Sequence, residues 1–108
     1  QARLDDVIPA VIRVDFIKID VEGAEFKVMK GARRILSQSR PHVIFEFGLG
    51  AADYYGSTPD ELFNYLTVEC SLKISTLKGF LQKTRSLTAE NFRNLYETGR
   101  EYYFIAHP

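Results

Sequence analysis

The sequence is poor in cysteine, and it has no surplus of charge of either sign. Cys70 is the single cysteine among 108 residues, which excludes an internal disulfide and a cysteine-based zinc site. Fourteen Lys and Arg residues balance fourteen Asp and Glu residues, so no overall field attracts nucleic acid or an anionic membrane. We therefore expect a cytoplasmic protein that binds neither nucleic acid nor membranes.

Long apolar runs and linker segments are also missing. No stretch approaches the roughly 20 apolar residues that cross a bilayer. Asp5, Asp6 and Pro9 lie where a signal peptide needs an apolar segment. No repeat and no segment rich in Pro, Gly or Ser divides the chain. The sequence therefore predicts one compact domain that spans residues 1–108.

The first half of the chain has the pattern of a strand, a helix and a second strand. Residues 14–20 alternate and are rich in β-branched and aromatic side chains, which predicts a strand. Apolar side chains then recur at helical spacing over residues 24–38. Residues 42–47 form a nearly continuous apolar run, typical of a strand covered on both faces. Such a βαβ unit is expected to be parallel and right-handed.

The second half continues the alternation of helices and strands. Residues 48–56 have the composition of a loop, and Ser57 to Glu61 has the signals of a helix start. We predict a helix to about residue 69, a strand over residues 72–77, a helix from Thr88 to Gly99 and a closing strand at 102–106. The predicted order is β-α-β-α-β-α-β, which is an α/β fold.

Acidic residues follow the first two predicted strands. Asp20 ends the first strand and Glu22 follows it, Glu46 lies near the end of the second, and Gly23 allows a sharp turn into the helix. In open parallel sheets, ligands bind beyond the carboxyl ends of the strands. Alternation puts Asp20 and Glu22 on one side if the strand continues, so three carboxylates could converge. They could bind a divalent cation, orient a substrate hydroxyl or act as a general base.

Each acidic residue also has a structural interpretation. Glu22 and Glu25 lie in the first turn of the helix, where negative charge is favourable, and Asp20 could cap that helix. Glu46 interrupts an apolar strand, and a buried carboxylate without a partner is costly. For Glu46 we therefore favour a functional role.

The segment after the second strand nearly matches a dinucleotide-binding fingerprint. The third glycine of that pattern is replaced by Asp53, so we interpret residues 48–56 as a loop. Tyr54 and Tyr55 in this loop could stack on a flat ligand or contact a partner.

Three segments carry a family resemblance: Val14 to Glu25, Val28–Ala32 and Pro41–Glu46. They resemble the FkbM-type family of S-adenosylmethionine-dependent methyltransferases. The resemblance implies a partial Rossmann-like methyltransferase sheet that is mostly parallel, with helices on both faces. It also implies that the final strand is antiparallel and inserted beside its predecessor. The chain would be the C-terminal portion of such a domain.

The resemblance further implies roles for individual residues. Lys18, Asp20, Glu22, Gly23 and Glu46 match the motif at the active-site edge. They would position a substrate hydroxyl, on a small molecule or a sugar, beside the methyl donor, with one carboxylate accepting its proton. No metal is implied.

The family's glycine-rich cofactor loop and ribose-binding acid have no counterpart in this sequence. We therefore expect the chain alone to bind S-adenosylmethionine weakly and to be inactive. Two alternatives stay open. One is a catalytically silent binding or assembly module, and the other is a metal-dependent α/β enzyme that uses Asp20, Glu22 and Glu46 as ligands. The strand at residues 14–20 is central in the intact fold, so its bare edge predicts a homodimer.

Overall fold

The computed structural model describes residues 3–108 and shows a four-stranded sheet with helices. The strands are β1 (Phe16–Ile19), β2 (His42–Glu46), β3 (Lys73–Thr76) and β4 (Tyr103–His107). The helices are α1 (Leu4–Val7), α2 (Glu25–Lys30), α3 (Arg33–Gln38), α4 (Pro59–Asn64), α5 (Leu77–Leu81) and α6 (Ala89–Thr98). A 3-10 turn at Ala52–Tyr55 precedes α4, and a π-helical turn at Tyr65–Glu69 follows it. No helix within this part of the chain has the length and hydropathy to cross a membrane.

The strand order in the sheet is β1-β2-β4-β3. β1 and β2 are parallel, as the βαβ pattern predicts. β4 is antiparallel to both β2 and β3 and lies between them. The final strand is thus antiparallel and beside its predecessor, as expected. The expectation of a mostly parallel sheet is wrong. Because β4 is inserted between β2 and β3, two of the three strand pairs are antiparallel. The fold is mixed α/β with a partly parallel sheet.

The hydrophobic core lies on one face of the sheet. Strand residues of alternating positions, such as Phe45 on β2 and Phe104 on β4, are buried there with side chains from α2, α3, α4 and α6. The Phe92 ring on α6 packs edge-on against the Phe104 ring, with centroids 4.8 Å apart. Burial of these aromatic side chains is the main stabilisation that this face provides.

The second face of the sheet is covered unevenly. α5 reaches it through Phe80, whose ring centroid lies 4.9 Å from that of His107 on β4. Toward β1 the face is open, and Phe16 is 56% exposed. The prediction of helices on both faces is therefore correct only at the β3–β4 side among residues 3–108.

The predicted helix over residues 24–38 is two helices, α2 and α3, separated at Gly31 and Ala32. The Asp5 carboxylate accepts hydrogen bonds from the backbone N–H groups of Arg34 (2.7 Å) and Ile35 (3.1 Å). It thereby caps α3 from a distant part of the chain, which satisfies N–H groups at the start of a helix. The cap explains why a new helix begins here although the apolar period continues.

The later elements largely follow the prediction. Thr58 caps α4 by accepting a hydrogen bond from the N–H of Glu61 (3.2 Å). Thr88 likewise caps α6, which ends at Gly99 with a left-handed φ of 69°. Two elements differ from prediction: the helix after residue 64 continues as a π-helical turn, and α5 follows β3 where no helix is predicted.

Candidate functional site

The carboxyl ends of β1 and β2 lie side by side. Ile19, the last residue of β1, is paired with Phe45 in the parallel register, so the next positions along the two strands are Asp20 and Glu46. The acidic residues that follow both strands therefore reach the same edge of the sheet. This edge is where an open α/β sheet binds its ligands.

A buried carboxylate shapes the loop between β1 and α2. Glu25 is 1% exposed, and its two oxygens accept hydrogen bonds from the N–H groups of Gly23 (2.9 Å) and Val21 (3.2 Å). The interpretation of Glu25 as a structural residue is thus correct. α2 has no side-chain cap, so the alternative in which Asp20 caps this helix is wrong. Asp20 is exposed at the end of the strand.

Glu22 reaches the site by a turn, and the expectation that strand alternation would orient it is wrong. β1 ends at Ile19, and Glu22 has a left-handed φ of 50°. Gly23, with a φ of 105°, then completes the turn. A Cβ on Gly23 would lie 2.5 Å from the carbonyl oxygen of Ala51, so this glycine lets the loop after β2 approach the loop after β1.

The loop after β2 is held by its own hydrogen bonds. The Asp53 carboxylate accepts a hydrogen bond from the N–H of Gly50 (2.8 Å), and Ala52 is completely buried. Asp53 replaces the third glycine of the dinucleotide-binding fingerprint. It stabilises a compact turn here, whereas the fingerprint would begin a helix at this point.

An open cleft of about 610 Å³ lies between the two loops. Its walls are formed by Glu22, Glu46, Gly50, Ala51 and Tyr55. Two of the three predicted carboxylates and one of the two predicted tyrosines therefore share one cavity. The predicted role of Tyr54 falls outside the description, because the structure gives no account of its side chain.

Lys18, Asp20 and Gly23 are not among the residues that form the walls of this cleft. Lys18 is exposed in β1, two residues before Asp20, and alternation puts both side chains on the open face of the sheet. Gly23 is buried, and its backbone lies against Ala51, which is one of the wall residues.

Tyr103, the first residue of β4, belongs to this edge of the sheet although the sequence does not predict it as a site residue. Tyr103 is paired with Glu46 in the antiparallel register and is 46% exposed. The negative charge of Glu46 raises the pKa of the Tyr103 phenol, and partial burial and the charge of Asp20 act in the same direction. At this edge of the sheet, the neighbouring strands β1, β2 and β4 thus carry Asp20, Glu46 and Tyr103. Only the insertion of β4 beside β2 brings the tyrosine here.

The acidic residues do not form a metal-binding cluster. Across residues 3–108, no group of three or more His, Cys, Asp or Glu side chains is arranged to hold a metal ion. The alternative of a metal-dependent enzyme that uses Asp20, Glu22 and Glu46 as ligands is therefore not supported. The arrangement suits hydrogen bonding to a hydroxyl and acceptance of a proton.

Fold and site together define an α/β domain with an acidic cleft beyond the carboxyl ends of two parallel strands. A family model described as the methyltransferase FkbM domain matches residues 1–74, which include β1, β2, the loops around the cleft and the first half of β3. The chain belongs to this FkbM methyltransferase family. No curated protein and no solved structure gives a significant match.

Proposed function

We propose that this chain supplies the methyl-acceptor side of an S-adenosylmethionine-dependent O-methyltransferase that acts on a hydroxylated small molecule or a sugar. The supporting observation is that Glu22, from the loop after β1, and Glu46, the last residue of β2, line one cleft at the ligand-binding edge of the sheet. Membership of a methyltransferase family gives the reaction class. The chain is proposed to be the C-terminal portion of the domain and to act in the cytoplasm.

In this proposal the chain's residues bind and orient the acceptor. Glu46 accepts the proton of the substrate hydroxyl, since it lines the cleft at the end of a rigid strand. Glu22 and Tyr55, which also line the cleft, hydrogen-bond neighbouring hydroxyl groups. Asp20 and Lys18 adjust the charge at the rim. Orientation of the hydroxyl accounts for much of the rate of such a transfer.

The family match implies dependence on S-adenosylmethionine in general. The cleft walls offer two carboxylates and a phenol, which suit the positive sulfonium of that cofactor. They offer no cationic side chain for its carboxylate, and Lys18 is not among them. The residues of this chain therefore fit only part of the cofactor, and we assign the acceptor side alone to them.

The proposal can be tested by NMR titration of the chain with methyl α-D-glucopyranoside and with glycerol. We expect the sugar to shift the amide signals of the residues around the cleft, Glu22, Glu46, Gly50 and Tyr55. Glu46→Gln should weaken this binding, whereas Glu90→Gln on the exposed surface of α6 should not. Sugar-induced shifts confined to other parts of the chain, or equal binding by the Glu46→Gln variant, would contradict the proposal.

The assignment of the acceptor side alone to this chain has a separate test. Calorimetry with S-adenosylmethionine should show no tight, saturable binding, and a labelled-methyl assay with the sugar should show no transfer by the chain alone. Tight binding of the cofactor would refute the assignment of the acceptor side alone.

The alternative of a catalytically silent assembly module is supported by one observation: within residues 3–108, no strand pairs with the outer edge of β1. The two functions differ in what Glu46 does. A silent module should be unaffected in all its binding by Glu46→Gln, while an acceptor site should lose affinity for the sugar.

A further inference from the structure

Two adjacent tyrosines at the start of β4 are exposed. Tyr102 is 50% exposed and Tyr103 is 46% exposed, whereas the next three residues of the strand, Phe104 to Ala106, are all buried. The packing of the core therefore does not account for these two rings. Neighbouring exposed aromatic side chains, unlike single ones, indicate a surface that contacts a ligand or a partner.

The position of Tyr103 is fixed by strands on both sides, because β4 lies between β2 and β3. Tyr103 is paired with Glu46, and the next pair along these strands is Phe45 with Phe104. Phe45 and Phe104 belong to the core, so alternation puts Glu46 and Tyr103 together on the opposite face of the sheet. The side chain of Tyr103 is therefore the cross-strand neighbour of a carboxylate that lines the cleft.

The two tyrosines are also attached to the chain that leaves β2. The N–H of Phe47 donates a 2.8 Å hydrogen bond to the carbonyl of Tyr102, which extends the pairing of β2 and β4 by one residue. A Cβ on Gly48 would lie 3.1 Å from the Cβ of Tyr102, so the glycine leaves room for this side chain. The ring centroids of Tyr102 and Tyr103 are 5.0 Å apart. Each ring therefore restricts the orientation of the other.

A carboxylate next to an aromatic ring matches the two kinds of surface that a pyranose presents. Hydroxyl groups surround the edge of the sugar, and C–H groups form apolar patches on its faces. The Glu46 carboxylate can accept hydrogen bonds from the hydroxyl groups, while the tyrosine ring packs against the C–H groups. A small acyclic polyol has the hydroxyl groups without a rigid apolar face. The aromatic ring should therefore distinguish a sugar from such a polyol.

We propose that Tyr103, supported by Tyr102, is a specificity-determining residue that packs against the ring of a pyranose whose hydroxyl group is bound by Glu46. This inference rests on the proposed function and deepens it, because it selects a sugar among the hydroxylated acceptors. It also extends the acceptor site from the cleft onto β4.

NMR titrations of the chain with methyl α-D-glucopyranoside and with glycerol test the inference. The wild-type chain should bind the sugar more tightly than glycerol. Tyr103→Leu should weaken binding of the sugar by roughly fivefold and leave binding of glycerol unchanged, because only the sugar uses the ring. Tyr103→Phe keeps the ring and should keep the affinity for the sugar. Phe16→Leu, at an exposed aromatic residue at the far end of β1, is the matched control and should have no effect.

A second measurement does not depend on the variants. The wild-type chain with bound sugar should give intermolecular NOEs between the ring protons of Tyr103 and the C–H protons of the pyranose. Tetramethylammonium should not displace the sugar. Displacement would assign the ring and the carboxylate to a cation, which also suits them, and would overturn the inference.

Failure of this inference can be distinguished from failure of the proposed function. If neither the sugar nor glycerol shifts the amide signal of Glu46, the proposed function is wrong, and this inference is wrong with it. If the sugar binds at Glu46 but Tyr103→Leu leaves its affinity unchanged, or if no NOE joins the sugar to the Tyr103 ring, this inference alone is overturned.

Discussion

The carboxylate of Glu25 accepts a 2.9 Å hydrogen bond from the N–H of Gly23, two residues earlier in the chain. The second oxygen binds the N–H of Val21, so one buried side chain fixes the whole connection between β1 and α2. This connection carries Glu22 into the cleft. The acidic residue that matters most for the geometry of the site is therefore one that does not line it.

Replacing Glu25 should destabilise the fold. Glu25→Ala leaves two N–H groups without their charged acceptor, which costs about 2–4 kcal/mol. Glu25→Gln keeps one acceptor oxygen and should cost about half as much. Urea unfolding measures both, with Glu90→Ala in the exposed first turn of α6 as the control. A loss in Glu25→Ala no larger than that of the control would show that these hydrogen bonds contribute little.

Gly23 should tolerate no side chain. Gly23→Ala combines a positive φ of 105° with a Cβ only 2.5 Å from the Ala51 carbonyl oxygen, whereas Gly50→Ala has a φ of 88° and open space around the Cβ. Gly50→Ala therefore measures the backbone strain alone. Gly23→Ala should lose at least about 1 kcal/mol more than Gly50→Ala, because the close contact adds overpacking. Equal unfolding midpoints for the two variants would contradict the close approach of the two loops.

The Tyr103 phenol should report the charge of Glu46. Because that charge disfavours the phenolate, Glu46→Gln should lower the pKa of Tyr103 toward its ordinary value. NMR of ring-labelled tyrosine resolves this residue from the other five, and Tyr103→Phe assigns its signal. An unchanged titration of Tyr103 in the Glu46→Gln variant would show that the two side chains do not interact in solution.

The sequence predicts the local elements well because their signals are local. Alternation predicts β1, the continuous apolar run predicts β2, and Thr88 with Gly99 marks α6. The break between α2 and α3 could not be predicted in this way, because its cap, Asp5, lies far away in the chain. Gly31 within the apolar pattern is the one local signal of that break.

The candidate site is only partly predictable from the sequence, because only some of its signals are local. Asp20 and Glu46 follow adjacent parallel strands, and the βαβ pattern is enough to bring them to one edge. Tyr103 comes from a strand whose insertion beside β2 depends on the whole sheet, and no local pattern gives its register with Glu46. The orientation of Glu22 depends on Glu25. The hydrophobic periodicity of the sequence does not predict the hydrogen bonds of Glu25 to the loop either.

His107 should make the stability depend on pH. The Ser75 hydroxyl and His107 Nε2 lie 2.9 Å apart, and burial lowers the pKa of His107, with the nearby His42 and Lys73 acting in the same direction. The unfolded chain then binds a proton on this residue more readily than the folded chain does. The contribution of His107 is therefore complete above about pH 6.5, begins to be lost as the pH falls through that value, and is fully lost below the folded-state pKa.

Unfolding midpoints of the wild-type chain and His107→Asn between pH 8 and pH 5 isolate this contribution. The wild-type chain should lose more stability than the variant as the pH falls, while carboxylates that titrate in this range affect both proteins equally. A parallel decline of the two curves would mean that the proton binds His107 equally well in the folded and unfolded chains, contrary to the burial of the imidazole beside Phe80 and Ser75.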